Sequence, residues 1–258
     1  MAVILRSIVF NVAFYLNLLI YFVLALPTFA MSRHGIIGMA TSWGRTNLWL
    51  LRVICGLKVE VRGRENIPPG AVIVAAKHQS AWETFALLSL FADPAFILKR
   101  ELLWLPVFGW YARRAEMIPV DRSGQPGVME ALAGRVRGAL DAGRQIIIFP
   151  EGTRRAAGAP PRYKFGVAQL YRQSGAACLP VALNSGLFWP RRSFLRLPGT
   201  VVVEVLPVIP PGLDRAEFFR AMQARIEETT ARLVEEGRRE LAARGIAPPV
   251  ADDGDDAD

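Results

Sequence analysis

Seven short apolar runs, separated by helix-length segments, follow residue 56, and this alternation restricts the fold more than any other feature. The runs are Val59–Val61, Ala71–Ala76, Ala95–Leu98, Met117–Val120, Gln145–Phe149, Cys178–Leu183 and Thr200–Leu206. The helix-length segments are Trp82–Leu90, Leu103–Tyr111, Val128–Ala142 and Phe165–Gln173. Strands that alternate with helices predict an α/β domain, in which helices flank a mostly parallel sheet. The run Gln145–Phe149 is apolar without alternation, which is typical of a strand buried on both faces.

The N-terminal segment from Ser7 to Ser32 contains no charged residue. As one helix it would be about 39 Å long, enough to cross the ~30 Å hydrocarbon layer of a bilayer. It fits a cleaved signal peptide, a transmembrane helix, or a kinked helix that enters one leaflet, which Pro27, Asn11 and Asn17 would permit. We expect a retained membrane anchor. A second, amphipathic helix is predicted from Gly38 to Gly56.

Basic residues indicate the partner and the orientation of the chain. The net charge is +8, and without the five aspartates among the last seven residues it would be +13. Such a surface attracts nucleic acid or an anionic bilayer, where each Lys or Arg gains roughly 1 kcal/mol. The apolar segment favours the bilayer, and no nucleic-acid partner is expected. Arg33, Arg45 and Arg52 follow that segment, whereas Arg6 precedes it, which predicts a body on the cytoplasmic side of the inner membrane.

The end of the chain predicts a long charged helix from Arg215 to about Arg244. Pro248, Pro249 and the aspartates that follow predict a disordered tail. We therefore divide the chain into N-terminal membrane-anchoring helices (1–56), one α/β domain (57–246) and a disordered acidic tail (247–258).

The cysteines and histidines are few. Cys55 and Cys178 both lie in apolar surroundings and are expected to be reduced core residues. With two histidines and two cysteines in the whole chain, no metal site is expected. We expect no bound cofactor either.

Two loops carry side chains suited to chemistry, and the first runs from Lys77 to Thr84. His78 lies at a strand end, and Ser80 with Glu83 has the spacing of a capping box that would open the next helix. Alternatively, the Glu83 carboxylate orients the His78 imidazole and stabilises its protonated form, so that His78 acts as a general base. Spacing alone leaves both interpretations open.

The second loop follows the buried strand and reads Phe-Pro-Glu-Gly-Thr-Arg, from Phe149 to Arg154. Pro150 and Gly152 predict a constrained turn, and Arg154 can hold a phosphate through two parallel hydrogen bonds. A solvated strand exit with an ion pair fits equally well. Both loops follow presumed parallel strands, and the carboxyl ends of such strands are where α/β sheets place their sites.

The two loops, taken with two further segments, resemble the motifs of the glycerolipid acyltransferase family, in particular its 1-acyl-sn-glycerol-3-phosphate acyltransferases. The first motif of the family is a His and an Asp separated by four residues. Here four residues separate His78 from Glu83. The second motif ends in arginine and is similar to Met117-Ile-Pro-Val-Asp-Arg122. The third is identical to Phe149–Arg154, and the fourth resembles Leu179-Pro180-Val181. The resemblance covers residues 71–206, and Glu83 departs from it where Asp is usual.

The resemblance implies an acyltransferase that moves a fatty acyl group to the sn-2 hydroxyl of 1-acyl-sn-glycerol-3-phosphate, giving phosphatidic acid. The expected donor is the thioester of acyl carrier protein or coenzyme A. His78 and Glu83 are then the catalytic pair. The residues expected to bind substrate are Lys99, Arg122, Glu151, Gly152, Thr153 and Arg154. Lys164 would add positive charge to the site or be merely solvated.

Three other functions remain open from the sequence. The acceptor could be another lyso-lipid, such as lyso-ornithine lipid, or glycerol-3-phosphate. A hydrolase could use Ser80 as its nucleophile, although Ser80 lacks the flanking glycines of a nucleophile turn. A membrane-bound lipid-binding protein without catalysis is the alternative of another class.

Overall fold

The computed structural model describes residues 1–121 and 127–248. Arg122 and most of the predicted acidic tail lie outside these residues. The helices are α1 (Ala2–Leu24), α2 (Arg33–Leu50), α3 (Glu83–Ala86), α4 (Phe108–Arg114), α5 (Val128–Asp141), α6 (Gly166–Ser174), α7 (Ser185–Phe188) and α8 (Arg215–Ala243). The strands are β1 (Leu57–Arg62), β2 (Val72–Ala76), β3 (Pro94–Lys99), β4 (Ile118–Val120), β5 (Gln145–Ile148), β6 (Cys178–Leu183) and β7 (Gly199–Val205).

The seven strands form one sheet in the order β1-β7-β6-β2-β5-β3-β4. Every pair is parallel except β6 with β7. This confirms the prediction of an α/β fold with a mostly parallel sheet flanked by helices. Because β2 lies at the centre between β5 and β6, the loops that follow these three strands meet at one edge of the sheet.

The core follows from the sequence of each element. Strand β2 reads Val-Ile-Val-Ala-Ala and is buried throughout, as expected for a central strand covered on both faces. Asp214 caps the N-terminus of α8, and its side chain accepts hydrogen bonds from the amides of Ala216 (2.8 Å) and Glu217 (2.9 Å). These two hydrogen bonds lower the pKa of Asp214. Apolar residues spaced along one face of α8 are buried against the sheet.

The N-terminal segment differs in two ways from a single helix over Ser7–Ser32. Helix α1 already ends at Leu24, and a 3₁₀ turn over Leu26–Ala30 follows, with Pro27 near its start. Asn11 and Asn17 do not break α1, which runs through both. Helix α1 is long and apolar enough to cross a membrane, with a mean hydropathy of 2.0 over its best window.

The second predicted helix, Gly38–Gly56, begins sooner than expected. It starts at Arg33 and ends in a turn of π-helix over Leu51–Cys55. Gly56 terminates it with a positive φ of 69°, which glycine adopts at no steric cost. Residues of α1 and of the π turn, including Phe10, Leu51 and Cys55, are buried in the same core cluster as β2.

Only the last part of the segment Leu103–Tyr111, predicted as one helix, lies in an α-helix. A 3₁₀ turn covers Arg100–Trp104, and α4 begins only at Phe108. Pro106 lacks the amide that a helix needs, and Val107 has a positive φ of 65°.

Both cysteines are buried and unpaired, and burial raises the pKa of Cys55 to about 11 and that of Cys178 to about 12.

Candidate active site

His78 lies two residues beyond β2, and its own peptide group is fixed from both sides. The His78 amide donates to Glu151 Oε2 at 3.1 Å. Its carbonyl accepts from the amide of Arg155 at 2.8 Å. Both partners belong to the loop after β5. The two loops singled out in the sequence are therefore joined through the backbone of His78.

Glu83 is the first residue of α3, and its buried carboxylate accepts four hydrogen bonds. Oε1 accepts from His78 Nδ1 (3.0 Å), the Gln79 amide (2.6 Å) and the Ser80 amide (2.7 Å). Oε2 accepts from the hydroxyl of Ser185 (2.8 Å). The helix-capping and histidine-pairing interpretations are thus compatible, since one oxygen makes both contacts.

Only one of the two hydrogen bonds of the predicted capping box forms in this described loop, the one from the Ser80 amide to the Glu83 carboxylate. Ser80 Oγ accepts from the amide of Trp82 at 3.0 Å rather than from that of Glu83. Trp82, not Ser80, immediately precedes the helix. Ser80 is fully buried, and its hydroxyl already has this partner, which disfavours the hydrolase with a Ser80 nucleophile.

The ring of His78 is held in one orientation. It stacks on Phe149, with ring centroids 3.9 Å apart and an angle of 12° between the planes. Because the Glu83 carboxylate is an acceptor, the proton of a neutral His78 belongs on Nδ1, and Nε2 keeps its lone pair. The imidazole lines the large cavity described below. This arrangement suits a general base.

Glu151, expected to bind substrate, is instead buried behind the cavity. Its Oε1 accepts from Lys77 Nζ at 2.8 Å, and Oε2 holds the His78 amide. Lys77 also donates to Glu227 of α8 at 2.7 Å, and Tyr163 donates to the same Glu227 oxygen at 2.8 Å. Burial raises the pKa of Glu151, and the ion pair with Lys77 opposes that rise. The geometry therefore favours a positioning role for Glu151.

A cavity of about 1070 Å³ opens in front of His78. One side is formed by α1 and α2, with Leu18, Phe22, Met39 and Ala40 among the lining residues. The sheet side contributes Phe96, Leu98, Ile148 and Phe149. The walls are mostly apolar, so the cavity suits a long hydrocarbon chain.

Basic side chains line the same cavity. Four of the expected substrate-binding residues are there, namely Lys99, Gly152, Thr153 and Arg154, together with Lys164. Gly152 has a positive φ of 71°, and a Cβ at this position would lie 3.1 Å from Cε of Lys164. The site thus uses glycine where the lysine stem passes close to the backbone.

Sequence reasoning missed several residues of this region. Arg191 and Arg192 line the cavity, and Arg191 donates to the carbonyl of Arg154 at 2.7 Å. Ser185 donates to Glu83, and Glu227 of α8 accepts from Lys77, a residue of the His78 loop for which the sequence predicted no role. Among the described residues, no group of three or more His, Cys, Asp or Glu side chains could hold a metal ion. The site therefore combines an oriented imidazole, several cations and an apolar cavity.

Comparison with known proteins agrees with this chemistry. A family model described as acyltransferase matches residues 58–184. A 1-acyl-sn-glycerol-3-phosphate acyltransferase of Pseudomonas aeruginosa is 37% identical over 198 residues, which cover 74% of this chain and 76% of that protein. The chain belongs to the 1-acyl-sn-glycerol-3-phosphate acyltransferase family. This confirms the family predicted from the motifs.

Less similar members of the acyltransferase family match this chain over most of its length. The human 1-acyl-sn-glycerol-3-phosphate acyltransferase alpha is 28% identical over 205 residues, which cover 78% of this chain and 72% of that protein. The crystal structure of the 1-acyl-sn-glycerophosphate (LPA) acyltransferase PlsC from Thermotoga maritima superposes with a TM-score of 0.74 at 26% identity. That match covers 92% of this chain and 97% of that one. Because the match covers 92% of this chain, the likeness extends into the N-terminal region of residues 1–56.

Proposed function

We propose that this acyltransferase moves a fatty acyl group from a thioester to the sn-2 hydroxyl of 1-acyl-sn-glycerol-3-phosphate, giving phosphatidic acid. One observation carries the proposal. The His78–Glu83 pair, 3.0 Å apart, opens onto an apolar cavity with a basic wall. Such a site has a place for a hydroxyl, a hydrocarbon chain and a phosphate at once. The names of the relatives support the same reaction.

The proposed reaction needs one general base. His78 Nε2 takes the proton of the acceptor hydroxyl as its oxygen attacks the thioester carbonyl carbon. Glu83 stabilises the imidazolium that forms. When the tetrahedral intermediate collapses, the carbon–sulfur bond breaks and the thiolate leaves, taking the proton from His78. The thioester is already activated, so the reaction requires neither a covalent acyl-enzyme nor a cofactor.

Cations of the cavity wall would hold the phosphate of the acceptor. Lys99, Arg154 and Lys164 all line the cavity that contains His78. Arg122 has the same predicted role, but it lies outside the described residues. Fixing the phosphate would orient the sn-2 hydroxyl towards His78 and lower the entropic cost of attack. Gly152 and Thr153 belong to the same loop and would shape this anion site.

The enzyme is proposed to work at an anionic membrane surface, with the α/β domain on the cytoplasmic side of the inner membrane. Helix α1 is apolar enough to enter a bilayer. The positive charge of the chain suits anionic lipid and an acidic donor such as acyl carrier protein, and coenzyme A thioester is the other candidate donor. The N-terminal helices, within residues 1–56, would anchor the α/β domain of residues 57–246.

A panel of acceptors tests the proposed function. Purified enzyme would be given a labelled acyl thioester with 1-acyl-sn-glycerol-3-phosphate, glycerol-3-phosphate or lyso-ornithine lipid. We expect transfer to the first acceptor at the highest kcat/KM. A higher kcat/KM with lyso-ornithine lipid or glycerol-3-phosphate would show that the proposed acceptor is wrong and that the preferred compound is the acceptor. Failure with all three would contradict the proposed function and favour a lipid-binding protein without catalysis.

A further inference from the structure

The segment between β3 and β4 presents large apolar side chains to solvent. Trp104, Leu105 and Trp110 are 65%, 49% and 56% exposed. Leu102 and Phe108, beside them, are also exposed and line the cavity that contains His78. Isolated apolar residues are common on protein surfaces, but a contiguous group of this kind marks an interaction surface. We call residues 102–110 the apolar wedge.

The apolar wedge has a tightly built backbone. Val107 has a φ of 65°, a conformation that costs a β-branched residue about 1–3 kcal/mol and persists only where the surroundings enforce it. A Cβ on Gly109 would lie 2.1 Å from the carbonyl oxygen of Leu103. The Gly109 amide donates to Leu105 at 2.9 Å. The outward direction of the indoles is therefore built into a defined turn.

Helix α4, which begins within the apolar wedge, packs against the N-terminal region. Tyr111 of α4 stacks on Phe22 of α1, with centroids 5.6 Å apart and planes 4° from parallel, and its hydroxyl donates to the Phe22 carbonyl. Arg114 donates to the carbonyl of Met31. Five apolar residues of this N-terminal region are exposed, namely Val23, Leu24, Leu26, Phe29 and Met31. The two regions therefore form one apolar surface at the cavity.

The charges around the apolar wedge select the partner. Residues 100–114 contain three arginines and one acidic residue, Glu101. Arg113 is exposed at the end of α4, and Arg100 pairs with Asp121 at 3.1 Å. Tryptophan and arginine together suit the headgroup zone of an anionic bilayer, where indoles lie at the boundary and cations meet lipid phosphates.

We propose that the apolar wedge is a second membrane contact, which adjoins the N-terminal helices on the same apolar surface. Trp104, Leu105 and Trp110 insert into the interfacial zone of an anionic bilayer. Because Leu102 and Phe108 line the cavity, its mouth then opens directly into the lipid. A lyso-lipid can slide from the leaflet into the site without crossing water. The inference rests on the proposed function, which gives the enzyme a membrane-borne acceptor.

Vesicle binding tests the contact independently of catalysis. The variant Trp104→Ser/Leu105→Ser/Trp110→Ser would be mixed with phosphatidylcholine vesicles, with or without phosphatidylglycerol, and sedimented. We expect its partition coefficient on the anionic vesicles to fall by about tenfold or more. Val59→Ser is the matched control, since Val59 is exposed on β1 at the opposite edge of the sheet and should leave binding unchanged. Wild-type binding by the triple variant would overturn the inference.

Brominated lipid locates the indoles directly. Bromine in the acyl chains quenches tryptophan fluorescence on contact. Trp104→Phe/Trp110→Phe should still bind vesicles but lose a large share of the quenching shown by the wild type. Unchanged quenching would overturn the inference. Loss of self-association in the triple variant, with vesicle binding intact, would assign the surface to a second copy of the chain.

Activity separates this inference from the proposed function. On a short-chain lysophosphatidate dissolved as monomers, the triple variant should match the wild type. On a long-chain acceptor embedded in anionic vesicles, it should lose about tenfold or more of its rate, in proportion to the lost binding. A wild type inactive on both acceptors would refute the proposed function. Equal losses on both acceptors would refute the membrane contact.

Discussion

At the scale of residues, Glu83 is explained by three contacts of one oxygen. The same Oε1 that accepts from the Ser80 amide also accepts from His78 Nδ1 and the Gln79 amide. The longer side chain of glutamate, where the family motif usually has Asp, therefore still reaches the imidazole. A carboxylate in this position orients the base and fixes the loop that carries it.

Substitution of Glu83 separates its charge from its shape. We expect Glu83→Asp to retain activity within about tenfold, since the charge and the accepting oxygens remain. Glu83→Gln should lower kcat by about a hundredfold or more, because an amide cannot stabilise the His78 imidazolium in the same way. Steady-state kinetics on purified enzymes would measure both. Equal kcat in all three enzymes would assign Glu83 to capping alone.

Lys77 is a buried cation whose removal should strand a buried anion. Its side chain is 2% exposed, and its ammonium lies 2.8 Å from Oε1 of Glu151. Lys77→Met should lower the free energy of unfolding by about 3–5 kcal/mol. Lys77→Met/Glu151→Gln should lose less than the sum of the single variants. Denaturant titration would measure the cycle, and additive losses would contradict the coupling.

The pH dependence of Lys77→Met follows from the same pair. Burial raises the pKa of Glu151, while Lys77 opposes that rise. When the pKa of a carboxyl is higher in the folded than in the unfolded protein, the free energy of unfolding falls as the pH rises through the folded pKa. Without Lys77 that loss should be larger, so the variant should gain stability relative to the wild type on acidification. Thermal unfolding across a pH series would show it, and parallel curves would count against it.

At the scale of elements, α1 is fixed to the domain by polar contacts. The Arg196 amide donates to Ser7 Oγ at 2.9 Å, and its guanidinium donates to Asn11 Oδ1 at 3.0 Å. The guanidinium also lies 3.8 Å from the centroid of the Trp189 ring. Burial lowers the pKa of Arg196 to about 10, so it stays charged at neutral pH. These contacts explain why Ser7 and Asn11 occur in a mostly apolar helix.

Arg196→Met should release α1 from the domain. The lost hydrogen bonds leave the Asn11 side chain with fewer partners, and we expect a loss of stability of about 1–3 kcal/mol. Hydrogen exchange of the α1 amides should accelerate, whereas exchange in β2 should not. Arg52→Met is a matched control because Arg52 is exposed. Unchanged exchange in α1 would contradict the role of Arg196.

The elements also show which parts of the fold the sequence predicts. Apolar runs such as Cys178–Leu183 are local signals, and each became a strand. Pro106 is a sequence signal for the break inside Leu103–Tyr111, but the positive φ of Val107 has no sequence signature. Ser185 and Glu227 reach the site from 102 and 150 residues away, respectively, so no local spacing reveals them. Sheet order and the antiparallel β7 likewise depend on tertiary packing.

At the scale of the whole molecule, the cavity lies between the N-terminal helices and the sheet. Residues of α1 and α2 form one wall, and the other contains His78. The helices that we propose as the membrane anchor therefore also shape the cavity that contains His78. The space between them should limit the length of the hydrocarbon chain that the enzyme accepts.

Ala40→Trp should shorten the preferred acyl chain. Ala40 lines the cavity from α2, and an indole there would fill part of it. We expect the ratio of kcat/KM for long chains over short chains to fall by about tenfold or more. Gly38→Trp is a control on the same helix, because a side chain at Gly38 points into open space. An unchanged ratio in Ala40→Trp would contradict this use of the cavity.

The transfer rate of a His78→Ala enzyme tests the general-base role of His78. Wild type and variant would be compared in one turnover, with labelled acyl thioester and 1-acyl-sn-glycerol-3-phosphate both saturating. We expect labelled phosphatidic acid from the wild type and a rate at least about a hundredfold lower from the variant, with acceptor binding retained. Transfer by His78→Ala at the wild-type rate would show that His78 is not the general base.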